Sequence, residues 1–307
     1  MKKILVLGGG SLGSEIIYYF SSEYMSTCID HGKNFEMMLK KVPSIKIIKD
    51  DITNFKLVKK EAENSNIIFY CVDTGGVMSC IRNTKKYYDI NVTNFTKLLN
   101  SLTGTKVHFF LFSSIFVYPD IPTVTEETKC KPETLYGKFR LEQEQILMDH
   151  KFDYTILRLA NIFGYGHFFN IGNLGAIEKF IKCVFDEKEI ILDGDGSQMV
   201  DYVFKNDLML LLEKLVKKLT NKQIYNVSTG LVRPISEVAN IIGDIAFRKF
   251  GKSVKIVKSD NNTKLPNLPK VLPTKLMNEI SWRPTSDMYS QINKMMDAYN
   301  LQHKRQI

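Results

Sequence analysis

Short apolar runs alternate with segments of helical periodicity through the first half of this chain, and this alternation restricts the fold more than any other feature. Ile67–Val72 is apolar without interruption, as expected for a strand that is covered on both faces. Because helical segments separate most of these apolar runs, successive strands should lie parallel, with crossover helices on both sides of the sheet. The pattern therefore predicts an α/β fold built on a doubly wound parallel sheet.

The bounds of the elements follow from the same periodicity. The predicted strands are Ile4–Leu7, Met25–Ile29, Ile45–Lys49, Ile67–Val72, Val107–Phe112, Tyr154–Leu159, Glu189–Leu192 and Ile224–Val227. The predicted helices are Ser11–Ser22, Phe55–Asn64, Lys85–Ser101, Leu135–His150, Ala176–Asp186, Asn206–Lys218 and Glu237–Phe250. The alternation loosens after Asn161, and the segment Lys258–Pro273, with three prolines and three asparagines, is predicted to be an irregular loop.

Composition excludes several classes of protein. Hydrophobic residues make up 44% and charged residues 24% of the 307 residues, which is the balance of a globular protein. The apolar runs are far shorter than the ~18 residues of a bilayer-spanning helix. Glycines also interrupt the apolar start of the chain before it reaches the length of a secretory signal. Five dispersed cysteines without a CxxC pair indicate reduced thiols. We therefore expect a cytoplasmic protein without a membrane partner.

The chain carries 42 basic and 33 acidic residues, a net charge of +9, which could suit an anionic partner. The lysines are scattered, however, and no zinc-finger or RNP-like signature accompanies them, so no nucleic-acid partner is expected. No cluster of histidine, cysteine and carboxylate residues indicates a metal site.

The first predicted strand runs directly into a glycine-rich turn of sequence GGGSLG. Gly8, Gly10 and Gly13 form a G-x-G-x-x-G pattern between a strand and a helix, the context in which this pattern binds a dinucleotide. The first glycine permits the tight turn, the second lets the backbone approach a pyrophosphate, and the third lets helix and strand pack closely. Ser11 and Leu12 open the helix, whose N-terminus offers N–H groups and a positive dipole end to phosphates. The turn thus predicts a Rossmann-type sheet with a dinucleotide cofactor.

An acidic residue at the end of the second predicted strand indicates which dinucleotide is bound. Asp30 follows Gly13 by 17 residues, and a carboxylate there can accept hydrogen bonds from the hydroxyls of the adenosine ribose. It would also repel a 2′-phosphate, which favours NAD over NADP. A positive charge on His31 or Lys33 could offset this repulsion and permit NADP. Asp51, after the third predicted strand, either binds the adenine amino group or belongs to a surface turn.

Two further motifs extend the pattern. The strand Val107–Phe112 ends in the sequence SSIFVY, and 22 residues after Ser114 a helix opens with YGKFR, from Tyr136 to Arg140. Together with the glycine turn, these segments resemble the extended short-chain dehydrogenase/reductase superfamily, specifically its NAD-dependent nucleotide-sugar epimerases and dehydratases. The resemblance continues, in order, through the segments Asn91-Val92, Leu157–Gly164, Gly194–Gln198, Asp201–Val203, Asn206-Asp207, Tyr225–Val227 and Ser281–Pro284.

This resemblance implies roles for three residues. Tyr136 is the general acid/base, Ser114 hydrogen-bonds the reacting hydroxyl or carbonyl, and Arg140 is the cation that supports the tyrosine and holds the nicotinamide ribose. The family has Lys where this chain has Arg140, which keeps the charge but is longer and planar. A tyrosine serves as a base near neutral pH only if its pKa falls from about 10, and a cation at i+4 favours the phenolate. Further NAD contacts are implied at Ile52, Cys71, Val72 and Asn91.

On the substrate side, the chain departs from the family's pattern. Val200 stands where the sugar-nucleotide enzymes often have an Arg that binds the diphosphate, and Lys264 is the cation nearest to a second such position. Asn161 matches the family's residue and is expected to bind substrate. Three other cations could replace the missing Arg, although a solvated charge is the simpler interpretation of each: Lys182, Lys205 and Arg233.

Other residues favour one reaction of this family. The 4,6-dehydratases place an Asp-Glu pair directly after the catalytic hydroxyl residue, whereas this chain has Ile115 and Phe116, so dehydration is not expected. His167 is either a proton donor or an ordinary loop residue. The leading hypothesis is C4 epimerisation of a nucleotide-activated sugar through a 4-keto intermediate. The alternatives are an NAD(P)-dependent 4-keto sugar reductase and a non-catalytic NAD-binding regulatory protein of the same fold.

The resemblance also implies the domain organisation. Residues 1–160 with about 201–229 would form the NAD-binding Rossmann domain, to which the late strand Ile224–Val227 returns. Residues from about 161–200 with 230–307 would form a smaller, discontinuous α/β substrate-binding lobe over the carboxyl ends of the strands. The family commonly dimerises by pairing two helices from each subunit, here Lys85–Ser101 and Leu135–His150, so we expect a homodimer.

Overall fold

A seven-stranded parallel sheet forms the centre of the computed structural model. The structure describes residues 2–32, 42, 45–72, 75–164, 174–259 and 268–303. The strands, numbered in chain order, are β1 (Lys3–Leu7), β2 (Met25–Asp30), β3 (Lys46–Lys49), β4 (Ile67–Tyr70), β5 (His108–Ser114), β6 (Thr123–Val124), β7 (Asp153–Leu159), β8 (Asn161–Phe163), β9 (Ile190–Leu192), β10 (Met199–Val200), β11 (Tyr202–Phe204), β12 (Gln223–Val227), β13 (Arg233–Pro234), β14 (Ile256–Lys258) and β15 (Lys270–Val271).

The α-helices among the described residues are Ser11–Phe20, Phe55–Glu63, Val77–Arg82, Thr84–Tyr88, Asn94–Leu102, Leu135–Asp149, Ala176–Phe185, Lys205–Lys217, Ile235–Phe250, Thr274–Glu279 and Met288–His303. The prediction of one continuous α-helix over Lys85–Ser101 is wrong, because a π-helical turn at Asp89–Thr93 separates two α-helical segments. Within the predicted loop Lys258–Pro273, β15 pairs with β6, and residues 260–267 lie outside the described residues.

The order of strands across the sheet is β12-β7-β5-β4-β1-β2-β3. The chain starts at β1, winds outward to β3, and returns to β4 on the other side of β1. The switch point of the sheet therefore lies between β1 and β4. Doubly wound proteins bind ligands outside the carboxyl ends of the strands at this point. The late strand predicted over Ile224–Val227 pairs with β7 as β12, which confirms the doubly wound fold.

Both faces of the sheet are covered at its centre, which explains why β1 and β4 are rich in apolar residues. Side chains of a strand alternate between the two faces. In β1, Ile4 and Val6 are buried in the apolar cluster on one face, whereas Leu5 and Leu7 are buried in the cluster on the other.

A separate apolar cluster lies outside the central sheet. The helices Ala176–Phe185, Ile235–Phe250 and Met288–His303 contribute most of it. Leu276 and Trp282 instead pack in one of the two clusters that cover the sheet. The division of the chain into a Rossmann domain and a lobe of residues 161–200 with 230–307 stays a prediction. Among the described residues, no helix combines the length and the apolar character needed to cross a bilayer.

A buried polar network fixes the helix that carries the YGKFR segment to the ends of three strands. Glu144 accepts hydrogen bonds from Arg158 Nη2 at 2.7 Å and from Ser113 Oγ at 2.5 Å. Arg158 Nη1 donates to the hydroxyl of Tyr118 at 2.9 Å, and that hydroxyl donates to Asn226 Oδ1 at 2.7 Å. Since Ser113, Arg158 and Asn226 belong to β5, β7 and β12, the network sets the position of this helix relative to the strand ends.

We expect Glu144→Ala to lower the free energy of unfolding by about 3–5 kcal/mol, because it leaves the buried Arg158 guanidinium without its counter-charge. Urea unfolding would measure this effect. The matched control is Gln145→Ala, an exposed position on the same helix, with an expected change within about 0.5 kcal/mol. Equal losses in the two variants would show that the ion pair does not hold the helix.

Candidate active site

One cavity of about 740 Å³ opens at the carboxyl ends of the central strands. Its lining includes Cys71 after β4, Ser114 at the end of β5 and Ala160 after β7. Across from these strand ends, Phe180 and Tyr202 contribute from the second apolar cluster. The cavity therefore lies at the switch point, between the sheet and the helices outside it.

The glycine turn has the geometry that its spacing predicts. Gly8 has φ +95°, and a Cβ there would lie 2.7 Å from the carbonyl oxygen of Cys71. A Cβ on Gly13 would lie 2.0 Å from the carbonyl oxygen of Gly8, so this close approach of helix and strand requires glycine. A Cβ on Gly10 would meet nothing within 4 Å. That open flank fits a pyrophosphate approaching the backbone.

The helix that begins at Ser11 is open to an anion. Its N-cap, Gly10, makes no side-chain cap hydrogen bond, and its first turn contains no acidic residue. The first N–H groups of a helix have no partner within the helix, and the dipole places partial positive charge there. Leu12, in this first turn, lines the cavity.

The Asp30 carboxylate is fixed beside this turn. Its Oδ2 accepts a hydrogen bond from the backbone N–H of Gly9 at 2.5 Å, and its Oδ1 accepts one from Gly32 at 2.7 Å. Each carboxylate oxygen retains a further acceptor site, so Asp30 can still receive ribose hydroxyls. His31 lies 3.9 Å from both Asp30 and Asp51, with its side chain 78% exposed.

The other residues predicted to contact the cofactor follow β3, follow β4 or lie in the π-helical turn. Asp51 is exposed, and hydrogen bonds from the backbone N–H and the hydroxyl of Thr53 lower the pKa of its carboxyl. Ile52 beside it is half-buried. Cys71 and Val72 line the cavity. Asn91 is buried in the π-helical turn, where its amide donates to the carbonyl oxygen of Tyr87 at 2.7 Å, and it does not line the cavity.

The three predicted catalytic side chains all line the cavity. Ser114, at 6% exposure, accepts a long hydrogen bond from the backbone N–H of Phe116 at 3.3 Å, which leaves its own proton available. Tyr136 is half-buried, and Arg140 Nε donates to its hydroxyl oxygen at 3.3 Å. The guanidinium carbon of Arg140 also lies 5.3 Å from the centroid of the Tyr136 ring.

Sequence reasoning missed two residues next to Arg140. Gln143 is fully buried, and its Oε1 accepts from Arg140 Nη1 at 2.9 Å, which directs the guanidinium along its helix. Tyr70 lines the cavity with a buried hydroxyl that has no hydrogen-bond partner among the described residues. Burial raises the pKa of Tyr70, and the positive charge of Arg140 opposes that shift. Gln143 lies one helical turn beyond Arg140, but spacing alone does not show which polar residue will be buried against it.

On the substrate side, two of the residues singled out from the sequence lie in the cavity lining. Asn161 and Val200 both line the cavity, and Asn161 Nδ2 donates to the carbonyl oxygen of Asp201 at 3.2 Å. Lys179, which sequence analysis did not single out, also lines it. Among the described lining residues, Arg140 and Lys179 are the only cations. Three residues named from the sequence lie outside the described residues: Lys33, His167 and Lys264.

The three cations offered as substitutes for the missing Arg do not line the cavity. Lys182 is paired with Asp186 at 2.8 Å, and Arg233 with Glu237 at 2.7 Å. Lys205 is only 9% exposed, so its interpretation as a solvated charge is wrong. The reason is its position at the first turn of a helix that packs on the sheet.

We expect Gly10→Ala to leave the melting temperature of the cofactor-free protein unchanged, because the added Cβ meets no atom within 4 Å. The same methyl group would occupy the space through which a pyrophosphate approaches, so affinity for NAD should fall by about tenfold or more. Calorimetric titration with NAD measures this. Gly13→Ala is the contrasting variant, because its Cβ would clash with the Gly8 carbonyl and destabilise the fold itself. Undiminished affinity in Gly10→Ala would place the pyrophosphate elsewhere.

Comparison with known proteins identifies the family of this chain and its cofactor. The sequence matches the NAD dependent epimerase/dehydratase family over residues 4–228. The chain therefore belongs to this family, as its motifs indicated, and NAD is its cofactor. The uncapped helix N-terminus, the open flank of Gly10 and the Asp30 carboxylate fit that cofactor.

Individual proteins that are similar to this chain catalyse more than one kind of reaction. A UDP-glucose 4-epimerase of Lactobacillus helveticus is 27% identical over 259 residues, which cover 74% of this chain and 77% of the relative. A GDP-6-deoxy-D-talose 4-dehydrogenase of Aggregatibacter actinomycetemcomitans is 22% identical over 286 residues, 90% of each chain. The fold matches that of a UDP-glucuronic acid 4-epimerase from Bacillus cereus, solved with UDP-glucuronic acid and NAD. That match has a TM-score of 0.83 at 20% identity and covers 96% of this chain and 98% of the other.

Proposed function

We propose that this protein is an NAD-dependent C4 epimerase acting on a nucleotide-activated sugar. The observation that carries the proposal is that Ser114, Tyr136 and Arg140 line one cavity, with Arg140 Nε 3.3 Å from the Tyr136 hydroxyl. The relatives include a UDP-glucose 4-epimerase and a UDP-glucuronate 4-epimerase, whose names place their reactions at C4 of the sugar. Ile115 and Phe116, both in the cavity lining, provide no acid/base pair for dehydration.

The chemistry divides between the cofactor and this chain's residues. When bound, NAD accepts a hydride from C4 and later returns it, so the reaction needs no other oxidant or reductant. Tyr136 removes the proton of the C4 hydroxyl as the 4-keto sugar forms and gives a proton back as the hydroxyl is restored. The Ser114 proton is free to donate to the C4 oxygen in both states. Arg140 Nε donates to the Tyr136 hydroxyl oxygen and holds it in the cavity for this proton transfer.

The experiment is to incubate the protein with NAD and panels of UDP-, GDP- and dTDP-sugars and to follow C4 configuration by NMR. Epimerisation should reach equilibrium without net formation of NADH, and C4 should retain its hydrogen in heavy water, because the same hydride returns. Stoichiometric NADH without an epimer would contradict the proposal.

That contradicting outcome would instead support the second candidate, a 4-keto sugar reductase or the reverse dehydrogenase. This candidate is favoured by the likeness to the GDP-6-deoxy-D-talose 4-dehydrogenase, which extends over 90% of both chains. Ser114 and Tyr136 would have the same roles in it, since both reactions interconvert a C4 hydroxyl and a ketone.

Lys179 is proposed as the cation that binds the substrate's diphosphate, because Val200 cannot. We expect Lys179→Met to raise KM by about tenfold with little change in kcat, since a contact made equally in ground and transition states affects binding alone. The matched control is Lys182→Met, one turn further along the same helix and outside the cavity lining. An unchanged KM in Lys179→Met, measured by steady-state kinetics, would assign the diphosphate to other groups.

We also infer that the enzyme acts as a cytoplasmic homodimer. Tyr88 and Met148, on the helices predicted to pair between subunits, are 39% and 36% exposed. Burying such apolar side chains against a second copy would be favourable. Sedimentation equilibrium tests this inference, and a monomer at micromolar concentration would contradict it.

A further inference from the structure

Lys205 occupies an unusual position for a lysine. It is the first residue of the Lys205–Lys217 helix and is only 9% exposed. Its ammonium donates a hydrogen bond to Ser11 Oγ at 3.2 Å, across 194 positions of sequence. Ser11 is the first residue of the helix that follows the glycine turn. The two side chains therefore meet where the cofactor's pyrophosphate is expected.

Two carboxylates face this lysine: Glu15, one turn further along the Ser11 helix, and Glu178, on the Ala176–Phe185 helix. Among the described residues, the hydrogen bond of the Lys205 ammonium goes to Ser11 Oγ and not to either carboxylate. Burial lowers the pKa of Lys205, while these two carboxylates oppose the shift. Glu178 Oε1 instead accepts from the backbone N–H of Gly164 at 3.4 Å.

The neighbouring helix end makes the arrangement less favourable still. The N-terminus at Ser11 has neither a side-chain cap nor an acidic residue in its first turn, so its partial positive charge faces a buried ammonium. Burying a charge costs free energy unless a partner compensates it. A dianionic ligand at the turn would compensate both positive groups at once.

We propose that Lys205 is a positioning residue of the cofactor's diphosphate subsite and acts through the hydroxyl of Ser11. A hydroxyl has one proton and two lone pairs. Because Ser11 Oγ accepts from the ammonium, its own proton is directed away from Lys205 and is available to a phosphate oxygen. A hydrogen bond received from a charged donor also strengthens the bond that the hydroxyl donates. The proposal rests on the binding of NAD and not on the proposed reaction.

The test compares ligands that differ in their phosphates. Affinities for NAD, ADP and adenosine would be measured by calorimetry and ligand-observed NMR, without any sugar present. We expect Lys205→Met to weaken NAD and ADP by about 10- to 100-fold, the range of a charge-assisted hydrogen bond. Adenosine, which has no phosphate, should bind unchanged. The melting temperature of the cofactor-free variant is measured as a control, because Lys205→Met removes the positive charge that faces Glu15 and Glu178.

Three further variants make the result specific. Ser11→Ala should weaken ADP, and the double variant Ser11→Ala/Lys205→Met should be no weaker than Ser11→Ala alone, since the lysine acts through the hydroxyl. Lys205→Arg should retain more ADP affinity than Lys205→Met. Lys214→Met removes the same charge from an exposed position of the same helix and should change nothing.

Two results would overturn the proposal. Equal weakening of ADP and adenosine, or unchanged ADP affinity, would show that Lys205 only balances Glu15 and Glu178. Additive losses in the double variant would show that the lysine does not act through Ser11. If Lys205→Met does not fold, the ratio of ADP to adenosine affinity in Ser11→Ala and Lys205→Arg decides the question. Failure of epimerisation assays would leave all these measurements valid.

Discussion

Replacing Tyr136 by Phe should lower kcat by about 10²- to 10⁴-fold, the range of effects for loss of a general acid/base. The variant keeps the ring, and with it the edge-to-face contact of Tyr136 with Phe116 at 5.8 Å between centroids. It removes only the hydroxyl that Arg140 approaches in the cavity. Turnover of the best sugar nucleotide from the panel, followed by NMR, measures the loss.

Binding of NAD should change little in Tyr136→Phe, since the adenosine and pyrophosphate contacts predicted at Asp30 and the glycine turn remain. The control is Tyr88→Phe, whose hydroxyl contacts Glu142 at 3.3 Å and which does not line the cavity. If Tyr136→Phe retained turnover within a few-fold of the natural protein, another group would be the acid/base.

Replacing Arg140 by Met should lower turnover by about 10- to 100-fold. The loss corresponds to one charge-assisted hydrogen bond, that from Nε to the Tyr136 hydroxyl. Steady-state measurement of kcat, beside that of the natural protein, gives the size of the loss.

Arg140→Lys should keep substantial activity, because an ammonium at this position supplies the charge that the rest of the family uses. The charge-matched control is Arg248→Met, which removes an exposed guanidinium paired with Asp244 on a different helix. An Arg140→Met variant with an unchanged rate would remove the basis of the catalytic proposal, although membership of the family and the use of NAD would stand.

The central sheet could be predicted from the sequence because its causes are local. All seven strands of the sheet were expected, and the clearest was β4, which is apolar and buried along its whole length because both faces of the sheet are covered there. The glycine turn was equally readable. Only glycine fits the left-handed backbone of Gly8 and the 2.0 Å approach of Gly13 to the Gly8 carbonyl. The roles of Ser114, Tyr136 and Arg140 came from resemblance, and their positions in the lining of one cavity agree with these roles without testing them.

The environment of the buried polar residues was decided only in three dimensions. Nothing in the spacing of Lys205 distinguishes it from the solvated lysines elsewhere on its helix, yet folding brings it to Ser11 across 194 positions. Gln143 became the partner of Arg140, and Lys179 reached the cavity wall, for the same reason. Periodicity reports which face of a segment is apolar, and this depends on the segment alone. Which polar groups meet on the remaining faces depends on how distant segments pack, so the tertiary structure alone determines the charges around the cofactor and substrate positions.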